Sequence, residues 1–130
     1  MLRVFDCALV YVAPAGLEMP EAVEAVVAGA SATQRAGADL AAEVKGADAL
    51  YVTRVQKERF ADAATYEASK GSYVVDKRLM ATAKPTCAVL HPLPRVDEIA
   101  ADFDADPRAA YFRQMENGLY ARMALLDLVL

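Results

Sequence analysis

Three short apolar runs set the limits on how this chain can fold. "ALVYVA" (Ala8 to Ala13), "ALYVT" (Ala49 to Thr53) and "CAVL" (Cys87 to Leu90) each have the length of a strand. Their apolar residues are consecutive rather than alternate, the pattern of strands buried on both faces. The segments between them read as helix. An order of strand, helix, strand predicts an α/β fold with a parallel sheet and flanking crossover helices. Ligands of such sheets bind off the carboxyl ends of the strands, so the residues just after each run come first as site candidates.

The connecting segments carry their own punctuation. In "MPEAVEAVVAGA", Pro20 stands at a first helical position, Val23, Val26 and Val27 form an apolar face, and Gly29 ends the helix. "ADLAAEVKGAD" is a short helix with Asp39 as its cap and Gly46 at its end. A helix is expected around "DAATYEASKG", closing at Gly71, then a short strand at "SYVV" and a helix from Asp76 to Lys84. Asp106-Pro107 reads as the cap and first residue of another helix, punctuated at Asn117-Gly118. Leu119, Met123, Leu126 and Leu130 then recur at helical spacing and make an apolar stripe. There is no internal repeat or low-complexity segment.

Of the 130 residues, 56% are hydrophobic and the net charge is −4. An acidic balance argues against a nucleic-acid partner or an anionic membrane surface, both of which want a basic face. No apolar stretch reaches the ~20 residues of a membrane span. Cys7 and Cys87 read as buried free thiols, which points to a reducing compartment, the cytoplasm or an organelle. A Gly-rich phosphate loop and a metal-spaced His/Cys set are both missing, and one histidine makes a catalytic triad improbable.

Two strand ends look built to hold a ligand. The second apolar run leads into "TRVQKERF", where Arg54 and Gln56 point the same way if the chain stays extended. A guanidinium grips a carboxylate through two parallel hydrogen bonds, and an amide beside it offers donor and acceptor together. That pair suits a small dicarboxylate or an amino acid. The competing reading pairs Arg54 with Glu58 on a solvated surface. The third run leads into "HPLPRVDEI". Pro92 and Pro94 remove two N–H donors and force extended neighbours, leaving a rigid edge rich in carbonyls. Such an edge accepts hydrogen bonds from an N–H-bearing ligand such as a carbamoyl NH2. Arg95, Asp97 and Glu98 are expected to form a charge lattice around it, and His91, between strand and proline, reads as structural.

"LYVTRVQKERF", "VLHPLPRVDEI" and "DPRAAYFRQMENGLYARMALLDLVL" together resemble the second, aspartate-binding half of aspartate carbamoyltransferase. The resemblance covers nearly the whole chain and is weakest from Ser31 to Val44, and "HPLP" favours this family over ornithine carbamoyltransferase. It implies a Rossmann-like parallel sheet and transfer of a carbamoyl group from carbamoyl phosphate to L-aspartate in pyrimidine biosynthesis. It implies no metal, no other cofactor and no covalent intermediate. Carried over residue by residue, Arg54 and Gln56 contact the aspartate, and the carbonyls of Pro92 and Leu93 receive the carbamoyl NH2 and the aspartate amine. Glu58 orients Arg54, while Arg95, Asp97 and Glu98 brace the loop.

The same resemblance implies that residues 1–130 are one aspartate-binding domain, without the carbamoyl-phosphate domain and without the usual opening strand and helix. A sheet lacking its opening strand is expected to close over the gap or to take a strand from another chain. That chain, or a second copy, would also cover the terminal helix. No catalytic residue is assigned with certainty, and the chain alone is expected to be inactive. The alternative is a non-catalytic, carbamoyltransferase-derived interaction module.

Overall fold

The computed structural model describes residues 4–37, 39–55, 67, 71 and 73–130. The chain divides into two compact units, Met1–Glu43 with Gln56–Ser72, and Val44–Val55 with Tyr73–Leu130. The expected parallel pairing is present in both: the described strands pair two by two, once in each unit.

In the first unit, β1 (Ala8–Tyr11) runs parallel to β2 (Thr33–Ala36), with Ala8 opposite Thr33 and Tyr11 opposite Ala36. Between them lies α1 (Glu21–Ala28). Pro20 is the residue before this helix rather than its first residue, because its ψ of 136° is extended. Its carbonyl accepts from Val23 and Glu24, so it still closes the first turn. Of the expected apolar face only Val27 is buried, while Val23 and Val26 are exposed. Gln34 fastens the layers: its amide donates to the Glu24 carbonyl at 2.7 Å and its oxygen accepts from the Tyr11 hydroxyl at 3.2 Å. Gly37 follows β2 where a Cβ would lie 2.8 Å from Val10 Cγ1, so the close approach to β1 needs glycine. Asp39 caps α2 (Leu40–Glu43) as expected, accepting from Ala42 N at 3.1 Å, but the helix stops well short of Gly46.

Among the described residues the second unit holds most of the core: Val75, Met80, Cys87, Val89, Ile99, Phe103 and Tyr111 are all buried. Here β3 (Ala49–Tyr51) pairs in parallel with β4 (Ala88–Leu90), Tyr51 opposite Leu90. The Val52 N–H extends the ladder to the Leu90 carbonyl at 2.9 Å. On the other edge of β4, Val89 N donates to Arg108 O and Ala110 N donates to Val89 O. The strand is thus bonded on both sides, as a buried apolar strand requires.

Four expectations change in this unit. Of the described residues of "SYVV", only Val75 pairs, bridged to Ile99. The helix expected from Asp76 to Lys84 is the single turn α3 (Lys77–Met80). Beyond it the Thr82 hydroxyl bonds the Leu79 carbonyl, and Pro85 lies downstream. Asp106-Pro107 opens a turn instead of a helix. The Asp106 carboxylate is taken by the backbone N, Nε and Nη2 of Arg108, and the chain must stay extended to bond β4. The last helix, α4 (Tyr111–Val129), runs through Asn117-Gly118 without a break. The helix expected around 62–71 lies outside the described residues except for Glu67 and Gly71.

Candidate functional site

Parallel pairing decides where the candidate residues stand. Because β3 and β4 run the same way and are in register at Tyr51 and Leu90, both carboxyl ends open on one side of the unit. Arg54, exposed, follows β3, and His91 to Pro94 follow β4. The two segments singled out in the sequence are therefore brought together by the sheet itself. Gln56 and Glu58 lie outside the described residues.

The corner after β4 is tightly determined. The Leu93–Pro94 peptide is cis, and Leu93 has φ +50°. That left-handed conformation is disfavoured for a side chain like leucine and is held by its neighbours. The Leu93 N–H donates to His91 Nδ1 at 2.8 Å. With Nδ1 accepting, the ring proton sits on Nε2, which donates to Glu98 Oε1 at 2.6 Å. Both side chains are buried, His91 2% exposed and Glu98 4%. The His91 backbone N–H donates to Gln114 Oε1 at 2.9 Å, from the first turn of α4.

Glu98 also accepts from the backbone N–H of Val96 and Asp97. Burial pushes its carboxyl up, but the backbone N–H groups around it and His91 outweigh burial and hold it below the usual range. Exposed Pro92 and half-buried Leu93 form the outer rim. Among the described residues, neither of their carbonyl oxygens takes a hydrogen bond.

The expected lattice of Arg95, Asp97 and Glu98 is not one network. Arg95 turns to Asp104, gripping both carboxylate oxygens, one of them through Nη2 to Oδ2 at 2.6 Å. The Tyr111 hydroxyl joins them, donating to Asp104 Oδ1 at 2.6 Å and accepting from Arg95 Nη1 at 3.2 Å. Burial and the Asp104 carboxylate push the Tyr111 hydroxyl up to about 12, so it stays a donor. Asp97 is exposed and contributes its backbone N–H to Glu98. The difference arises because adjacent residues on a turn point apart, so each charge finds its partner elsewhere.

Asp104, Tyr111 and Gln114 were not singled out from the sequence. Gln114 carries no local signal, because its bond to His91 N forms only once the helix start packs beside the end of β4. Among the described residues no group of His, Cys, Asp and Glu is placed to hold a metal ion.

Residues 1–129 match the family described as aspartate/ornithine carbamoyltransferase, Asp/Orn binding domain. The chain is 43% identical to the chloroplastic aspartate carbamoyltransferase of Arabidopsis thaliana over 126 residues, covering 96% of this chain and 32% of that protein. It is 51% identical over 120 residues to the multifunctional protein pyr-3 of Neurospora crassa, covering 92% of this chain and 7% of the relative. Its fold is similar to that of Trypanosoma cruzi aspartate transcarbamoylase in complex with carbamoyl phosphate and aspartate. The TM-score is 0.81 at 40% identity, over 92% of this chain and 40% of that one. The chain thus spans well under half the length of these relatives. The strand-end geometry and the match over 129 residues agree, and the chain belongs to the Asp/Orn-binding domain family of the aspartate and ornithine carbamoyltransferases.

Proposed function

We propose that residues 1–130 form the aspartate-binding domain of an aspartate carbamoyltransferase, which carries a carbamoyl group from carbamoyl phosphate to L-aspartate in pyrimidine biosynthesis. The observation that carries this reading is the parallel register of β3 and β4, which puts Arg54 and the Pro92–Leu93 corner at one end of one sheet. Arg54 grips a carboxylate of aspartate with its planar fork. The carbonyls of Pro92 and Leu93 accept from the carbamoyl NH2 and the aspartate amine, and Gln56 and Glu58 complete the carboxylate side.

The chemistry asks for little beyond this. The amine nitrogen bonds to the carbamoyl carbon, the bond from that carbon to the phosphate oxygen breaks, and the amine gives up a proton. Holding the two reactants in line supplies much of the acceleration, and fixed dipoles stabilise the charge that develops. The phosphate needs cationic groups from a complementary carbamoyl-phosphate-binding part of the enzyme. That part is proposed to cover the exposed apolar face of α4, in a reducing compartment such as the cytoplasm.

Calorimetry with L-aspartate tests the site. With part of the ligand's partners elsewhere, binding is expected in the millimolar range, equivalent to about 4 kcal/mol. Arg54→Ala is expected to lose measurable heat. The same isotherm from both proteins would remove Arg54 from the site and end the reading.

A further inference from the structure

The geometry points to His91, held in one tautomer by Glu98, as a positioning residue that aims the Pro92 carbonyl. This rests, for the identity of the ligand, on the aspartate site proposed above. The peptide between Pro92 and Leu93 is trans, the cis bond being the next one. In a trans peptide the carbonyl and the N–H point in opposite directions across one plane. The Leu93 N–H points inward, to Nδ1 of an imidazole that is 2% exposed. The Pro92 carbonyl must therefore point away from the buried side, and Pro92 itself is exposed. One hydrogen bond inside the unit fixes the direction of an acceptor on its surface.

That bond exists only if Nδ1 carries a lone pair. A neutral imidazole has two tautomers, and the bond made by one nitrogen selects the state of the other. Glu98 makes the selection: its buried carboxylate accepts at 2.6 Å from Nε2, so Nε2 keeps the proton and Nδ1 stays an acceptor. Glu98 is in turn locked by the Val96 and Asp97 N–H groups, and the His91 backbone by Gln114. A histidine that merely filled the core would need none of this polarity. The chain runs without a gap from carboxylate to ring, from ring to peptide N–H, and across the peptide to the ligand-facing oxygen.

Two variants of the full chain separate this role from simple packing. Asparagine places an amide oxygen near the position of Nδ1, and glutamine places its amide near that of Nε2. His91→Asn is expected to keep the acceptor for Leu93 and bind L-aspartate within about threefold of wild type. His91→Gln is expected to lose it and bind about tenfold more weakly, the equivalent of one ordinary hydrogen bond. Equal affinities in the two variants would overturn the inference.

His91 is the sole histidine of the chain, so its ring nitrogens give unambiguous NMR signals. The tautomer with the proton on Nε2 is expected, and the one with the proton on Nδ1 would also overturn it. If His91→Gln does not fold, Glu98→Gln serves, because a neutral amide no longer enforces one tautomer. The expected result is a second ring form with faster exchange of the Leu93 amide, and an unchanged ring and amide would overturn the inference. If wild type binds no aspartate, the aspartate reading fails. Leu93 exchange then judges the positioning role: faster in His91→Gln than in His91→Asn supports it, and equal rates refute it.

Discussion

A carboxylate that serves its own neighbour shows what a single residue contributes here. Asp106 receives the backbone N, Nε and Nη2 of Arg108 at 2.9, 2.9 and 2.7 Å. That guanidinium also donates to the carbonyls of Met80, at the end of α3, and Lys84, so the pair ties the turn to the segment before β4. The hydrogen bonds from Arg108 hold the Asp106 carboxyl down to about 2, against burial, from an ordinary value of 3.8. A depressed folded-state value stabilises the fold above the unfolded-state pKa, and that contribution is lost as pH falls through the folded one. The expected outcome is a loss of about 1–2 kcal/mol between about pH 4 and pH 2. Denaturant titrations across that range measure it, and Asp106→Asn should flatten the profile there. An unchanged slope in the variant would place the acid sensitivity elsewhere.

The residues legible in the sequence were those whose meaning is local. Pro92 and Pro94 announce a donor-poor corner wherever they fall. The partner of Arg95 was not legible, because Asp104 reaches it only after the chain has turned back. His91, between strand and proline, reads as structural, and its burial agrees with that. What the sequence hid was the direction of its two ring nitrogens, which depends on Glu98 arriving from seven residues downstream.

At the scale of elements, strands announced by consecutive apolar residues were legible and a polar one was not. The runs at 8–13, 49–53 and 87–90 gave β1, β3 and β4, but the expected burial on both faces did not follow: β1 and β3 are half-buried or exposed, and only Val89 of β4 is buried. β2 reads "TQRA" and carries no apolar signal; like β1 and β3 it is half-buried or exposed, and it is specified by pairing to β1 and by Gln34. Asp39 was legible as a cap and Asp106 was not, and helix lengths were read too long. Asp76 sits in an extended conformation with its Oδ1 accepting from Leu79 N at 2.7 Å. So short a helix does not sustain itself, and the cap should matter in proportion. Asp76→Ala is expected to cost about 1 kcal/mol, while Asp76→Ser, which keeps an acceptor, should cost less. Thermal melts of the two variants check this ranking, and equal losses would mean that packing of Met80, not the cap, sets α3.

For the whole molecule, what most needs explaining is the face of α4 that the described structure leaves in water. Phe112, Met115, Leu119, Met123 and Leu126 recur at steps of three and four, so they share one side of a 19-residue helix, and Leu130 follows in step at its C-cap. All are exposed, most of them by more than half. Tyr111 at the helix start is buried, so α4 is anchored at one end while its apolar stripe stays uncovered. A stripe of this size contributes to stability only when something removes it from water.

On the proposed function that something is the carbamoyl-phosphate-binding part, which also brings the groups that hold phosphate. Covering α4 and completing the active site are then one event. Mixing the chain with such a part should restore formation of carbamoyl aspartate, read directly in the assay. Leu119→Glu with Leu126→Glu should abolish that turnover by placing two charges where the cover must dry the helix. The same double variant should bind L-aspartate alone as wild type does, because neither side chain belongs to the core or to the strand ends. Full turnover from the double variant would show that the stripe is not where the two parts meet. Lost aspartate binding would show that α4 supports the corner through more than Gln114 and Tyr111.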